Sequence, residues 1–267
     1  MKLTASSIWA SILAIRKTSP VIHNITNYVV MNNSANALLA VGASPVMAHA
    51  EEEVEDMAGI ANALVLNIGT LSPPWIRAMF RAASRAAERK IPIILDPVGA
   101  GATPYRTAAA RELLRECPPA IIRGNASEIM ALLDEGAKTK GVDSSAVSHD
   151  AVAVARQLSH TYGCVVCVSG ETDYIVFGSD ITRVMNGHIL MTRVTGLGCT
   201  ATALCGAFAS VNSVYAEATA QAMAVMGIAG EMAAHDSPGP GSLQVHFLDT
   251  LYGMSQGDIA DRIRTDG

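Results

Sequence analysis

The strongest chemical signal in the chain is Val194-Thr195-Gly196-Leu197-Gly198-Cys199-Thr200, which leads into the apolar helical run Ala201 to Ser210. Two glycines one residue apart let main-chain N–H groups turn toward an anion and approach it closely. A helix starting there adds partial positive charge at the same spot. Close packing of the helix on a strand is the other use of such spacing. Cys199 falls in the first turn, where a thiol pKa tends to drop. The string lacks the Gly-x-Lys-Ser/Thr end of a phosphate loop and the full Gly-x-Gly-x-x-Gly dinucleotide pattern.

Three further strings end apolar runs with polar groups. Asp96-Pro97-Val98-Gly99 follows Ile91–Leu95. A carboxylate there either holds Mg²⁺, which takes one or two carboxylates and keeps several waters, or caps the following turn. Arg123-Gly124-Asn125-Ala126-Ser127-Glu128 follows Ala120–Ile122. Asn125 and Glu128 have capping-box spacing, and a helix N-terminus flanked by Arg123 and Glu128 also suits a metal–phosphate group. Ser169-Gly170-Glu171 ends the run Cys164–Val168 and by itself reads as a turn.

These strings need a scaffold that brings strand ends together, because ligands of open α/β sheets bind beyond the carboxyl ends of the strands. The pattern supplies one. Strands are expected at Val21–His23, Ala63–Ile68, Ile91–Asp96, Ala120–Arg123 and Cys164–Ser169, with a hairpin of Tyr174–Phe177 and Ile181–Val184. Helices are expected at about Asn27–Val41, from Pro73-Pro74 onward, after Asn125, at about Asp150–His160, after Gly198, at Tyr215–Ala234 and from Val245 to Tyr252. The polar insert Asp134–Ser148 reads as an exposed loop, and Ser237-Pro238-Gly239-Pro240-Gly241 as a helix breaker. Strands alternating with helices of ten or more residues imply βαβ crossovers and a largely parallel central sheet with helices on both faces. No composition shift marks a second domain, so residues 1–267 are expected to form one.

Composition agrees. Of the 267 residues, 50% are hydrophobic and only 16% charged, with a mean hydropathy of +0.29, which excludes a disordered chain. Aromatic residues make up 4%, so small and branched side chains must fill the core, as in a helix-covered parallel sheet. The formal net charge of −5 gives no footprint for nucleic acid. The stretches Thr18–Ala50 and Val194–Ala216 carry no charged residue. Their asparagines, glycines and proline argue for buried or subunit-interface structure rather than a membrane span. No signal peptide is expected, because Arg16 and Lys17 break the first apolar run. Five cysteines without framework spacing point to a reducing cytoplasm. Cys164 and Cys167 lie three apart in one strand, on opposite faces, and are expected to pack rather than pair.

Taken together, the Gly196–Cys199 run, Arg123-Gly124-Asn125-Ala126-Ser127-Glu128, Leu95–Gly99 and Gly42-Ala43-Ser44-Pro45-Val46-Met47 strongly resemble the hydroxyethylthiazole kinase family. The similarity extends from about Ser19 to Val245–Asp249. It implies a ribokinase-like α/β fold. It also implies ATP- and Mg²⁺-dependent phosphorylation of the hydroxyl of 4-methyl-5-(2-hydroxyethyl)thiazole, in thiamine salvage and biosynthesis, by a cytoplasmic homotrimer with the thiazole site between subunits. By the same resemblance Met47 and Gly196 contact the thiazole, Asn24 lines its pocket, Arg123 and Ser169 contact ATP, and Asp96 and Glu128 serve Mg²⁺. Gly196, Gly198 and Cys199 form the catalytic anion hole, with Cys199 where most ribokinase relatives place an aspartate. Cys199 then acts as a thiolate or positions the substrate hydroxyl; a loose transition state favours positioning. Leu197 stands where the family commonly has Thr, and Ser169 where it has Thr. The rival readings are a kinase of another small alcohol, such as a hydroxymethylpyrimidine or pyridoxal kinase, and a ligand-binding relative without turnover.

Overall fold

The computed structural model describes residues 3–133 and 144–266, with side chains from Asp150 onward in the second stretch. The first half comprises α1 (Ala5–Thr18), β1 (Val21–Ile25), α2 (Met31–Val41), β2 (Ser44–Val46), α3 (Val54–Ile60), β3 (Ala63–Asn67), α4 (Pro73–Arg89), β4 (Ile93–Asp96) and α5 (Pro104–Glu116). Then come β5 (Ile121–Asn125), α6 (Ala126–Ala131), α7 (Ser144–Tyr162), β6 (Val165–Ser169), β7 (Asp173–Phe177) and β8 (Asp180–Val184). The last part holds α8 (Leu197–Ala209), α9 (Tyr215–His235), α10 (Pro240–Gly253), α11 (Gln256–Arg262) and the short β9 (Thr265–Asp266).

One sheet runs in the order β2-β1-β3-β4-β5-β6-β7-β8-β9. It is parallel from β2 to β6 and antiparallel beyond. The largely parallel sheet with helices on both faces is therefore as the alternating pattern required. Period-two alternation builds both cores. On β3, Ala63 and Val65 face α1, α2, α8 and α9, while Leu64 and Leu66 face α4, α5 and α7. Cys164 and Cys167 likewise belong to opposite cores, and all five cysteines are free. α8 is buried along nearly its whole length. Gly206 lets it sit close to the sheet, since a Cβ there would lie 3.0 Å from the Val65 Cγ2.

The chain leaves β1 toward β2 through α2, then returns through α3 to β3 on the other side. The strand order therefore reverses between β1 and β3, and such a switch point opens a crevice at the carboxyl ends. Asn24, Asn67 and Asp96 all lie at that end.

Several local expectations are corrected. The helix expected from Asn27 begins at Met31. Residues 28–30 form a turn in which the Val30 N–H donates to the Asn27 carbonyl, and the Asn27 amide reaches Asn67 and Cys199 across the crevice. The helix expected from Val245 starts at Pro240, because a proline suits the first turn, and it is followed by α11; only Ser237–Gly239 break the chain. The expected loop Asp134–Ser148 falls largely outside the described residues, and from Ser144 it is already α7. Helices α1, α3, α5 and α11 and strands β2 and β9 had no counterpart in the sequence reading.

Candidate active site

Asp96 ends β4 almost wholly buried. Its Oδ2 accepts hydrogen bonds from the Asn67 amide and the Thr202 hydroxyl, both at 2.8 Å. Its Oδ1 is buried with no partner. Leaving such an oxygen unsatisfied costs about 1–3 kcal/mol, more when charged. Burial pushes the Asp96 pKa up to about 6, and the Glu128 charge adds to this, while Arg123, Thr202 and Asn67 oppose it. The unmet lone pairs of a buried carboxylate suit a cation.

Glu128 realises the capping geometry. Its Oε2 accepts from the Asn125 N–H at 2.9 Å, and Asn125 Oδ1 accepts from the Glu128 N–H. Its Oε1 accepts from the Gly99 N–H at 2.9 Å, which ties the Asp96 turn to α6. The cap does not exclude a metal role, since each carboxylate oxygen keeps a second lone pair. Among the described residues no group of three or more His, Cys, Asp or Glu converges as a metal cage. Mg²⁺ needs none, because phosphate oxygens and water complete its shell. The donor set of one orphaned carboxylate oxygen and a neighbouring carboxylate therefore fits the ion.

Gly196 caps α8 in the left-handed region, at φ 87°. A Cβ there would lie 2.9 Å from the Val30 Cγ1, so both backbone and space demand glycine. No side chain caps this helix, and first-turn N–H groups lack partners within the helix. Those of Leu197, Gly198 and Cys199 are such groups. Gly198 makes room for Arg123, whose Nη1 would lie 2.9 Å from an added Cβ. Arg123 Nε is buried and unpartnered, and its charge is felt at both Asp96 and Asp173.

Beside this turn lies a cavity of about 720 Å³, within the usual range for small-molecule and cofactor sites. Arg123, Ser169, Asp173, Leu197 and Gly198 line it, with Met191, Met223 and Met226 among the apolar walls. Ser169 donates its hydroxyl to the Gly124 carbonyl at 3.2 Å. Gly187, next to the wall residue Asn186, donates its N–H to Glu231 of α9, which anchors this side.

Cys199 departs from expectation. Its Sγ accepts from the Asn27 amide at 3.6 Å, and its pKa is pushed up to about 12, not down. Burial is the main cause, reinforced by the negative Asp96 and opposed by Asn67, Asn27 and Arg123. Desolvation outweighs the helix dipole here, and the thiol is protonated near neutral pH.

Two expected residues stand apart. Asn24 is buried on β1, with its amide donating to the Ile22 carbonyl and its Oδ1 unpartnered. Met47 is half-buried just after the edge strand β2. Neither lines the cavity; of the expected residues Arg123, Ser169 and Gly198 do, whereas Asp96, Glu128, Gly196 and Cys199 lie outside its lining. The segment carrying Met47 is held by the buried ring of His23, whose Nε2 bonds the Ala48 carbonyl at 2.9 Å. Sequence reasoning missed Asn27, Asn67, Thr202 and Asp173. Asn67 was within reach, since it ends a fully apolar strand as Asp96 does. Thr202 lies three residues after Cys199, on the same side of a helix. Asn27 and Asp173 carried no local signal.

The doubly wound sheet, with its switch-point crevice and glycine turn, is a ribokinase-like α/β fold. A ribokinase-like superfamily protein from Enterococcus faecalis V583 superimposes with a TM-score of 0.67 over 96% of this chain and 90% of its own, at 11% identity. The model of the hydroxyethylthiazole kinase family matches residues 12–257, and the chain belongs to that family. It is 65% identical to a hydroxyethylthiazole kinase of Syntrophus aciditrophicus strain SB, over 99% of this chain and 98% of the relative. The solved structure of a hydroxyethylthiazole kinase protein from Pyrococcus horikoshii OT3 covers 98% of both chains at 42% identity, with a TM-score of 0.90. Among the described residues no helix is long and apolar enough to cross a membrane.

Proposed function

We infer that the chain transfers the γ-phosphoryl group of ATP to the hydroxyl of 4-methyl-5-(2-hydroxyethyl)thiazole, a step of thiamine biosynthesis and salvage. One observation carries this reading: the Gly196–Cys199 turn stands between a nucleotide-sized cavity and a buried carboxylate with an oxygen to spare. Family membership supplies the acceptor.

Phosphoryl transfer passes through a loose transition state, so positioning and charge neutralisation carry most of the catalysis. The first-turn amides of α8 meet the γ-phosphoryl oxygens, Arg123 offsets phosphate charge, and Ser169 contacts the nucleotide from the end of β6. Asp96 and Glu128 hold Mg²⁺, which when bound neutralises charge on the phosphates. Cys199, protonated, positions the acceptor hydroxyl. The hydroxyl proton leaves late and passes to an oxygen of the transferred phosphoryl group, so no strong base is needed. Leu197 brings its amide to the turn as threonine would; only a hydroxyl is lost.

Met47, Gly196 and Asn24 serve the thiazole, in a site shared between the subunits of a homotrimer. The uncharged stretch Thr18–Ala50 supports this, because it exposes Tyr28, Val29 and Leu39, and interface cores are depleted of charge. The thioether of Met47 can adapt to a small heterocycle. The chain works as one kinase domain in the cytoplasm, where its free thiols stay reduced. The test is ADP release with a panel of thiazole, pyrimidine and pyridine alcohols. Turnover with the thiazole alcohol at a kcat/KM at least tenfold above the others is expected. ATP binding without turnover on any of them would overturn the reading.

A further inference from the structure

Arg106, in the first turn of α5, is half-buried and makes no ion pair with a carboxylate among the described residues. Its guanidinium is spent on three main-chain carbonyls. Nη1 donates to Ile68 at 3.0 Å and to Val98 at 2.9 Å, and Nη2 donates to Gly69 at 2.7 Å. Ile68 and Gly69 form the turn after β3, and Val98 lies in the turn after β4. One planar cation thus bridges the two strand ends that carry Asn67 and Asp96.

Both turns are held against alternatives. Gly99 sits at φ +74°, and a Cβ on it would lie 3.1 Å from the Arg106 Cδ. The Gly99 N–H reaches Glu128, and the Gly69 N–H reaches Asn67 Oδ1 at 3.0 Å. A Cβ on Gly69 would lie 2.5 Å from the Asn27 amide nitrogen. The cation therefore fixes the separation of the two turns whose next bonds set Asn67, Asp96 and Glu128. A rigid fork of donors does this better than the point charge of a lysine.

We propose that Arg106 is a positioning residue that clamps the β3 and β4 turns and thereby sets Asp96 and Glu128 for the magnesium–nucleotide complex. The proposal rests on the assignment of those two carboxylates to Mg²⁺ made above. The test is calorimetric binding of a non-hydrolysable ATP analogue to the full chain, with and without Mg²⁺, for wild type, Arg106→Ala, Arg106→Lys and Asp96→Asn. In Arg106→Ala the Mg²⁺-loaded analogue is expected to bind at least tenfold more weakly, while the metal-free analogue changes less than twofold. Arg106→Lys falls between, kcat drops with the acceptor KM unchanged, and millimolar guanidinium ion recovers part of the loss in Arg106→Ala. Equal weakening of both forms, or of neither, overturns the proposal. If Arg106→Ala does not fold, a normally melting Arg106→Lys that keeps the full Mg²⁺ preference overturns it as well. Asp96→Asn separates the two claims. If it keeps the Mg²⁺ preference, the assignment of Asp96 falls and the proposal with it. If it loses the preference and Arg106→Ala keeps it, only the clamp falls.

Discussion

The two sides of the switch point are built to different standards of completeness. On the β4–β6 side, Arg123 and Ser169 line a formed cavity, and Asp96 and Glu128 at the neighbouring strand ends are held by hydrogen bonds within this chain. On the β1–β2 side, Asn24 keeps a free buried oxygen, Met47 lies half-covered beside an edge strand, and Tyr28, Val29 and Leu39 face outward. The first region is organised to receive a ligand as it stands. The second is a wall without an opposite wall. That difference agrees with the proposal that one chain holds the phosphoryl donor while a second copy completes the acceptor side.

The largest effect that would break this contrast is at Asp96. Asp96→Asn keeps the shape and the Thr202 bond but removes the charge. It should lower kcat for ADP release by about 10³ with little change in melting temperature. A drop below tenfold would mean that the donor side is not organised around this carboxylate. Gly198→Ala comes next. The added methyl meets the Arg123 Nη1 at 2.9 Å, so it should lower kcat/KM for ATP roughly a hundredfold by displacing one cation. Unchanged ATP kinetics would show that Arg123 is not tied to the turn.

On the other side, Met47→Ala should raise the KM for the thiazole about tenfold and leave that for ATP unchanged. Dilution should dissociate the assembly and cost activity in step, read by light scattering beside the assay. A fully active monomer at micromolar concentration would contradict a shared acceptor site. Cys199 sits between the regions. With the thiol protonated, Cys199→Ser should reduce kcat less than tenfold. A loss beyond ~10³ would restore a thiolate role.

What the sequence disclosed follows the same line. Apolar runs and glycine punctuation are local, so most strands, the parallel sheet and the Gly196 turn were legible, and so were the strand-end positions of Asp96 and Arg123; Ser169 by itself read only as a turn, and the roles of all three came from the family resemblance. The orphaned state of Asp96 Oδ1 was not, since it depends on Asn67 and Thr202, which the fold brings from β3 and α8. The thiol of Cys199 was misjudged for the same reason. Its position in a first turn is local, but its burial is tertiary, and burial decided the pKa. α5 escaped notice because half of its inner face is alanine, Ala109 and Ala110 beside Leu113 and Leu114, a weak stripe among charges. Its Arg106 escaped with it.

The smallest effect sharpens the donor side alone. Asp173 begins β7, buried at the cavity, and accepts from the Gly170 N–H at 3.1 Å. Burial pushes its pKa from the ordinary 3.8 up to about 6, against the pull of that bond and of Arg123. A carboxyl raised on folding binds more protons in the native state than in the unfolded one between about pH 4 and pH 6. Its contribution to stability therefore falls as pH rises through that window, by at most ~1.4 kcal/mol per pH unit, and is flat above it. Asp173→Asn keeps an acceptor for Gly170 and cannot ionise. It should reduce the pH dependence of unfolding free energy across that window, leaving the part that the similarly raised Asp96 supplies, and raise stability at pH 7 by about 1–2 kcal/mol, as denaturant titrations at several pH values would read. Because Arg123 would lose one of its two carboxylate neighbours, the variant should also bind nucleotide phosphate slightly more tightly. An unchanged slope would show that Asp173 is not shielded from water, and that the cavity wall it belongs to is looser than the geometry indicates.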